Sequence, residues 1–593
     1  MSKRLSKLGW IVLAALLCLS LIALPACTAP TEEEEEEEEV SIPYKNDGMF
    51  VQMTIGDPET LDPAASYDTA SGEQISYVYE TLIKYHGTEP AEFDPVLATE
   101  WVWSDADLTW SFKIRTGVKF HEGGDLTPSD VEYSFERGMI YDRLGGPMWM
   151  FFEPLFLAGE YAEVTFADVD AAVEVDGDWV VFKLADAGYK LIWLQTIANG
   201  WGSILDKEWC IANGEWDGTE ADAPNHYQVE DGSTYLWTHM NGTGPWKLNL
   251  WDPGIQVKLE KFAGYWGNPA PFDWVITQKV DEWTTRKEAL LAGDADLVYV
   301  PRMYIGELAG IADLQPIKDL PELAVDAFFF NLAITPTSPY LGSGKLDGQG
   351  IPADFFSDVD VRKGFCYAFD YQTYLEDAMQ GEGILNGSPI VQGLYGYNPN
   401  AKKYSLDLDK AKEHFQKAFG GDLWANGFKF TMLYNAGNEV RKVACEILQE
   451  NLYKINNKFQ VSIQPLDWRT GILPLIRTHD AVVWQIGWLA DYPHAHNFVV
   501  PFMASYGTFS KFQSYGSAAL DAKIEAALLD PNPTTQVQKY YELQDIWYDD
   551  APGIMLVQPA GRRFFTKYIH GFYFNPMIPG NAGPLWDMSK SQS

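Results

Sequence analysis

Catalysis on a small molecule needs an activated nucleophile, a tuned acid or base, a metal, or a cofactor cradle. The chain's candidates for each fall short. Gly344-Lys345 does not form a phosphate-binding loop, because Pro339 stands where the loop's first glycine belongs and Leu346 replaces the hydroxyl that would hold magnesium. His121-Glu122 lacks the second histidine of a zinc-binding helix. Neither a Gly-x-Ser-x-Gly elbow nor the Gly-x-Gly-x-x-Gly of a dinucleotide site occurs. Acidic residues are so numerous that carboxylate pairs will stand close by chance, and no glycosidase pair can be located among them. His494 and His496 are two apart, a spacing that on a strand turns both rings to one face. A metal site needs a third ligand and no partner cluster is visible, so they read as loop or cleft-lining histidines, with metal ligation as the alternative. These residues point away from an enzyme, and no cofactor is implied.

Length and composition describe a folded body large enough to enclose a ligand. At 593 residues the chain exceeds what one core usually organises, so two or more lobes are expected. Its formal charge is −40, and removing residues 1 to 39 takes away three bases and eight acids and still leaves −35. An acidic surface without a clustered basic stripe repels phosphate backbones, which argues against nucleic-acid binding. Cys210, Cys366 and Cys445, well inside the body, match no zinc or redox spacing; an odd number implies at least one free, buried thiol.

The N-terminus reads as an address. Lys3, Arg4 and Lys7 precede the apolar stretch from Leu8 to Ala23, and Leu24-Pro25-Ala26-Cys27 follows. This ending resembles the lipobox of bacterial lipoproteins, in which Cys27 receives a diacylglyceryl group and becomes the first mature residue. An uncleaved membrane anchor is the alternative. Both place the body outside the cytoplasm. Residues 28–47, with eight consecutive glutamates, read as an extended acidic tether.

Elements that could position a binding site recur down the chain. Glu59-Thr60-Leu61-Asp62-Pro63 leads through Tyr67-Asp68-Thr69 into a helical segment. In Trp110 to Arg115, apolar and polar residues alternate as in a half-buried strand, and Thr127-Pro128 with Asp130 opens a helix. Gly242-Thr243-Gly244-Pro245-Trp246, Val361-Arg362-Lys363-Gly364-Phe365 and Gly487-Trp488-Leu489-Ala490-Asp491-Tyr492-Pro493 follow. In this order the blocks resemble the family 5 extracellular solute-binding proteins, the group that includes dipeptide-, oligopeptide- and nickel-binding proteins. The chain departs from the pattern after Pro493, where an acidic residue and proline usually follow and His494-Ala495-His496-Asn497-Phe498 stands instead.

The resemblance implies an α/β, two-lobed periplasmic-binding-protein-like fold of the large peptide-binding class (type II). Lobe one would span 48–325, with an extra subdomain over about 84–210. Lobe two would span 326–556, and 557–593 would return to lobe one. It further implies a monomeric substrate-binding component of an ABC importer, anchored to the membrane, serving permease and ATPase subunits. The ligand would be a peptide, with an oligosaccharide or nickel chelate, or a sensor or enzyme role on the same fold, as alternatives. Asp491 would meet the ligand's amino group, with Gln485, Gly487, Leu489 and the rings of Trp484 and Trp488 along the same segment. Tyr67, Asp68 and Thr69 would face it from lobe one, and Arg477 or Arg441 would meet a ligand carboxylate.

Overall fold

The computed structural model describes residues 41–228 and 230–592. The leader, Cys27 and the glutamate run lie outside these residues. The last part of the expected tether does not behave as one. Ile42 is fully buried, its amide donates to Asp313 Oδ2 at 2.8 Å, and Tyr568 Oη donates to its carbonyl. Ser41 and Lys45 add bonds to Asp313 and Asp294, so the folded body begins by Ser41 rather than at 48.

Two mixed sheets organise the two lobes. The first runs Leu314–Leu320, Gly561–Thr566, Leu297–Val298, Met49–Thr54, Trp274–Lys279, Gln256–Lys261 and Trp246–Asp252. Met49–Thr54 is parallel to both its neighbours and the other pairings are antiparallel. The second runs Phe459–Leu466, Phe428–Asn435, Val483–Leu489, Ala324–Phe330 and Gly553–Met555. An antiparallel four-stranded sheet, Ala98–Ser104, Thr109–Ile114, Trp179–Lys183 and Val173–Asp176, forms a further layer built from the first half of the chain. In Thr109–Ile114 the residues Trp110, Phe112 and Ile114 are buried while those between are half-buried, the alternation a one-sided strand requires.

The chain crosses between the sheets twice. It leaves the first sheet at Leu320 and enters the second at Ala324, because Pro321 cannot donate to a ladder and ends the pairing. Ala324 and Val325, assigned from sequence to the first lobe, therefore belong to the second sheet. On the way back, Val557–Pro559 pairs with Gly383–Leu385 before Gly561–Thr566 rejoins the first sheet. One apolar cluster joins Phe112 and Trp193 of the four-stranded layer to Phe329, Trp488 and Phe502 of the second lobe.

Buried ion pairs hold the segment that leads to Tyr67. Arg137, on the helix Pro128–Tyr141, donates to both oxygens of Asp62 at 2.9 and 2.6 Å and to Glu215 at 2.8 Å, with all three groups inaccessible. Arg143 binds both oxygens of Glu59 at 3.0 and 2.7 Å. The acids of Glu59-Thr60-Leu61-Asp62-Pro63 thus fix the loop from below.

Candidate functional site

Asp491 lies just past the strand Val483–Leu489 and is only 8% exposed. Its Oδ2 accepts from Tyr67 Oη and from Asn497 Nδ2, both at 2.9 Å. Asn497 Oδ1 in turn accepts from the Asp491 amide at 2.7 Å, and Asn199 donates to the Asp491 carbonyl at 2.6 Å. Among the described residues nothing donates to Oδ1, and no lysine or arginine pairs with this carboxylate. Burial pushes Asp491 up to about 7, against the opposing pull of the hydrogen bonds from Asn497 and Tyr67. An ionised group in that position needs a cation that the protein does not supply.

Aromatic side chains surround Tyr67, the ring that binds the carboxylate. Tyr67 meets Trp488 edge-on at 5.5 Å and Trp201 at 5.9 Å, and Trp149 Nε1 donates to Tyr67 Oη at 3.0 Å. Because Tyr67 Oη accepts from the indole, its own proton is directed at Asp491. The indole nitrogen of Trp201 is buried without a hydrogen-bond partner among the described residues. A carboxylate bonded to one ring of an aromatic cluster is a setting that suits a desolvated ammonium group.

Register separates the other predicted residues along Val483–Leu489. Trp484 and Trp488 face the interlobe cluster, whereas Gln485 and Gly487 pair across to Phe328 and Asp326 and share their face. A Cβ on Gly487 would stand 2.7 Å from Asp326 Oδ1, which accounts for glycine there. Gln485 is 1% exposed and neither end of its amide finds a partner among the described residues. Leu489 is half-buried opposite Ala324.

That second face leads to a cavity of about 220 Å³ beside the two crossings. It is lined by Tyr299, Arg302 and Arg562 from the first lobe and by Asp326, Tyr374 and Arg441 from the second. Arg441 uses Nη1 on Asn435 Oδ1 at 2.8 Å, and Tyr374 Oη is buried without a partner. Arg302 pairs with Glu382, whereas the guanidinium nitrogens of Arg562 find no hydrogen-bond partner among the described residues. Burial raises Asp326, which Arg441 and Arg302 partly oppose.

Four of the predicted residues take positions in the fold that their neighbours describe. Asp68 caps the helix Thr69–Val78, accepting from the amides of Ala70 and Ser71 at 3.0 Å and from the Ser71 hydroxyl, which leaves it a structural role. Thr69 opens that helix on the exposed side. Trp484 stacks on Phe329 at 5.9 Å within the core. Arg477 pairs with both oxygens of Glu59 and with Asp231. Burial would raise Glu59, but its bonds to Arg477 and Arg143 outweigh it and hold the carboxyl at about 2. Arg477 is therefore an interlobe clasp, not a free carboxylate receptor.

The histidine pair does not lie on a strand. His496 opens the helix His496–Met503 and binds Glu153 Oε2 at 2.7 Å, whereas burial and the nearby His496 push His494 down to about 3. No group of three His, Cys, Asp or Glu side chains able to hold a metal occurs among the described residues. Cys210, Cys366 and Cys445 are all free and buried. Residues that the sequence did not single out for the site are Trp149, Trp201, Asn199 and Asn497. The first three come from a layer remote in sequence, while Asn497 stood inside the block that departs from the family pattern.

Comparison with known proteins accounts for this architecture. The "Probable D,D-dipeptide-binding periplasmic protein DdpA" of Escherichia coli (strain K12) is 25% identical over 541 residues, covering 89% of this chain and 92% of the relative. The oligopeptide-binding protein AppA of Bacillus subtilis, solved with a nonapeptide, superposes with a TM-score of 0.74 at 21% identity, covering 93% of this chain and all of the other. The periplasmic binding protein DppA of Helicobacter pylori, solved with the peptide STSA, gives 0.73 at 22% identity, covering 92% and 98%. The family model for "Bacterial extracellular solute-binding proteins, family 5 Middle" matches residues 92–510. With that match over most of its length, the chain belongs to family 5 of the bacterial extracellular solute-binding proteins.

Proposed function

We infer that the chain is the substrate-binding component of an ABC importer, outside the cytoplasm, which encloses a peptide between its lobes and delivers it to membrane permeases driven by ATPase subunits. The observation that carries the peptide reading is Asp491, a buried carboxylate with an unused oxygen, a bond to one ring of an aromatic cluster and no protein cation. A peptide's ammonium supplies that missing charge and donates to the free oxygen. Its carboxylate end would reach Arg441 in the cavity by the crossings, where donors exceed the partners they have. A neutral sugar would stack on Trp149, Trp201 and Trp488 yet leave Asp491 uncompensated, which favours an amine.

Mass spectrometry of small molecules extracted from natively purified protein tests the reading. Peptides with free amino termini are expected, and recovery of only neutral sugars or metal chelates would overturn it. The anchor belongs to the same proposal: Cys27 would carry the lipid and the acidic tether would hold a monomeric body off the membrane. Cys27→Ala should then abolish acyl labelling.

A further inference from the structure

The departure at His494 to Phe498 has a structural counterpart in the other lobe. Glu153, on the helix Trp149–Phe156, receives Tyr506 Oη on one oxygen and His496 Nε2 on the other at 2.7 Å. Glu153 is 5% exposed and His496 is 1% exposed. The His496 amide donates to His494 Nδ1 at 3.1 Å, which fixes the turn into its helix. Each member of the pair is tied to the anchor around Asp491. Glu153 stands one helical turn from Trp149, whose indole N–H directs the Tyr67 hydroxyl at Asp491. His496 immediately precedes Asn497, whose amide grips the same Asp491 oxygen. Parting the lobes would strip a buried carboxylate of both its donors and disturb Trp149 and Asn497 together.

We propose that Glu153 and His496 form an interlobe latch whose closure positions the Trp149, Tyr67 and Asp491 hydrogen-bond relay, making both of them positioning residues for ligand capture. The latch rests on Asp491 as the amine anchor, but it can be tested without a ligand. Spin labels at Val175→Cys in the four-stranded layer and Tyr453→Cys in the second lobe report the interlobe distance by electron–electron resonance in the full chain. Both positions are exposed, and the native thiols of the described body are buried. His496→Leu should lengthen the distances. His496→Gln, which can still donate to Glu153, should keep the wild-type distribution. Retention of an equimolar library of free-amino tri- and tetrapeptides should fall about tenfold in His496→Leu. Tyr67→Phe should cause a similar loss, and the double variant should lose no more than either alone, because both act through one relay.

Unchanged distances in His496→Leu, an equal defect in His496→Gln, or additive losses would overturn the latch. If His496→Leu fails to fold, Tyr506→Phe removes the other donor and is judged by the same measurements. A library not retained by the wild type would remove the peptide reading while the distances still decide the latch.

Discussion

Asp491 couples function and stability in opposite directions. Its folded-state value of about 7 lies above the ordinary aspartate range, so the stability it contributes is fully present below about pH 4 and is lost as pH rises through 7. Asp491→Asn removes that penalty and should raise the melting temperature of ligand-free protein at pH 8, with the gain vanishing near pH 4. The same substitution should weaken an amine ligand by about 3 kcal/mol, roughly a hundredfold. Wild-type affinity for an amine should fall about tenfold per unit below pH 7, as the anchor takes up a proton, and Asp491→Asn should flatten that profile. Thermal scans and calorimetry across pH check both signs. A destabilised Asp491→Asn protein at pH 8 would mean the carboxylate has a counter-charge in the fold.

The elements explain what the sequence could reveal. Alternation in Trp110 to Ile114 and the turn Thr127-Pro128 are local signals, and both read true: Asp130 Oδ2 accepts from the Thr127 amide and hydroxyl at 2.8 and 2.7 Å. The family resemblance points to Asp491 and Tyr67, and they meet although 424 positions separate them. Trp149, Trp201 and Asn199 were not named, because one ring or amide in a distant helix carries no period that marks which cleft it faces. Asp68 and Arg477 show a related reason: a charge beside a site looks the same in sequence whether a helix N-terminus, an ion pair or a ligand uses it. The acid in Leu61-Asp62-Pro63 is legible as structural only once Arg137 is seen beneath it. Asp62→Asn leaves the buried Arg137 guanidinium with Glu215 as its remaining acid and should cost about 3–5 kcal/mol in denaturant unfolding. A loss below about 1 kcal/mol would remove that pair as the pin of the loop.

Across the whole molecule, charge pairs span the cleft. Arg477 meets Glu59, Arg469 meets Asp57 at 3.1 Å, Lys279 meets Asp467 at 2.7 Å and Lys511 meets Glu160 at 2.6 Å. The chain crosses between the lobes near residues 321–323 and 556–560, and these pairs favour a closed arrangement about the crossings. Arg477→Gln leaves Glu59 bound to Arg143, so it should spare folding while enlarging the ligand-free particle in small-angle scattering. High salt should enlarge the wild type in the same direction. Dimensions unchanged by both would mean that apolar contacts alone hold the lobes. A closed, two-lobed body that recognises a peptide through its bare ammonium at Asp491 must discriminate against a blocked amine. Calorimetric titration with the peptide extracted from the native protein and with its N-acetylated form tests this most directly: acetylation should weaken binding by about a hundredfold or more, and equal affinity for the two forms would contradict it.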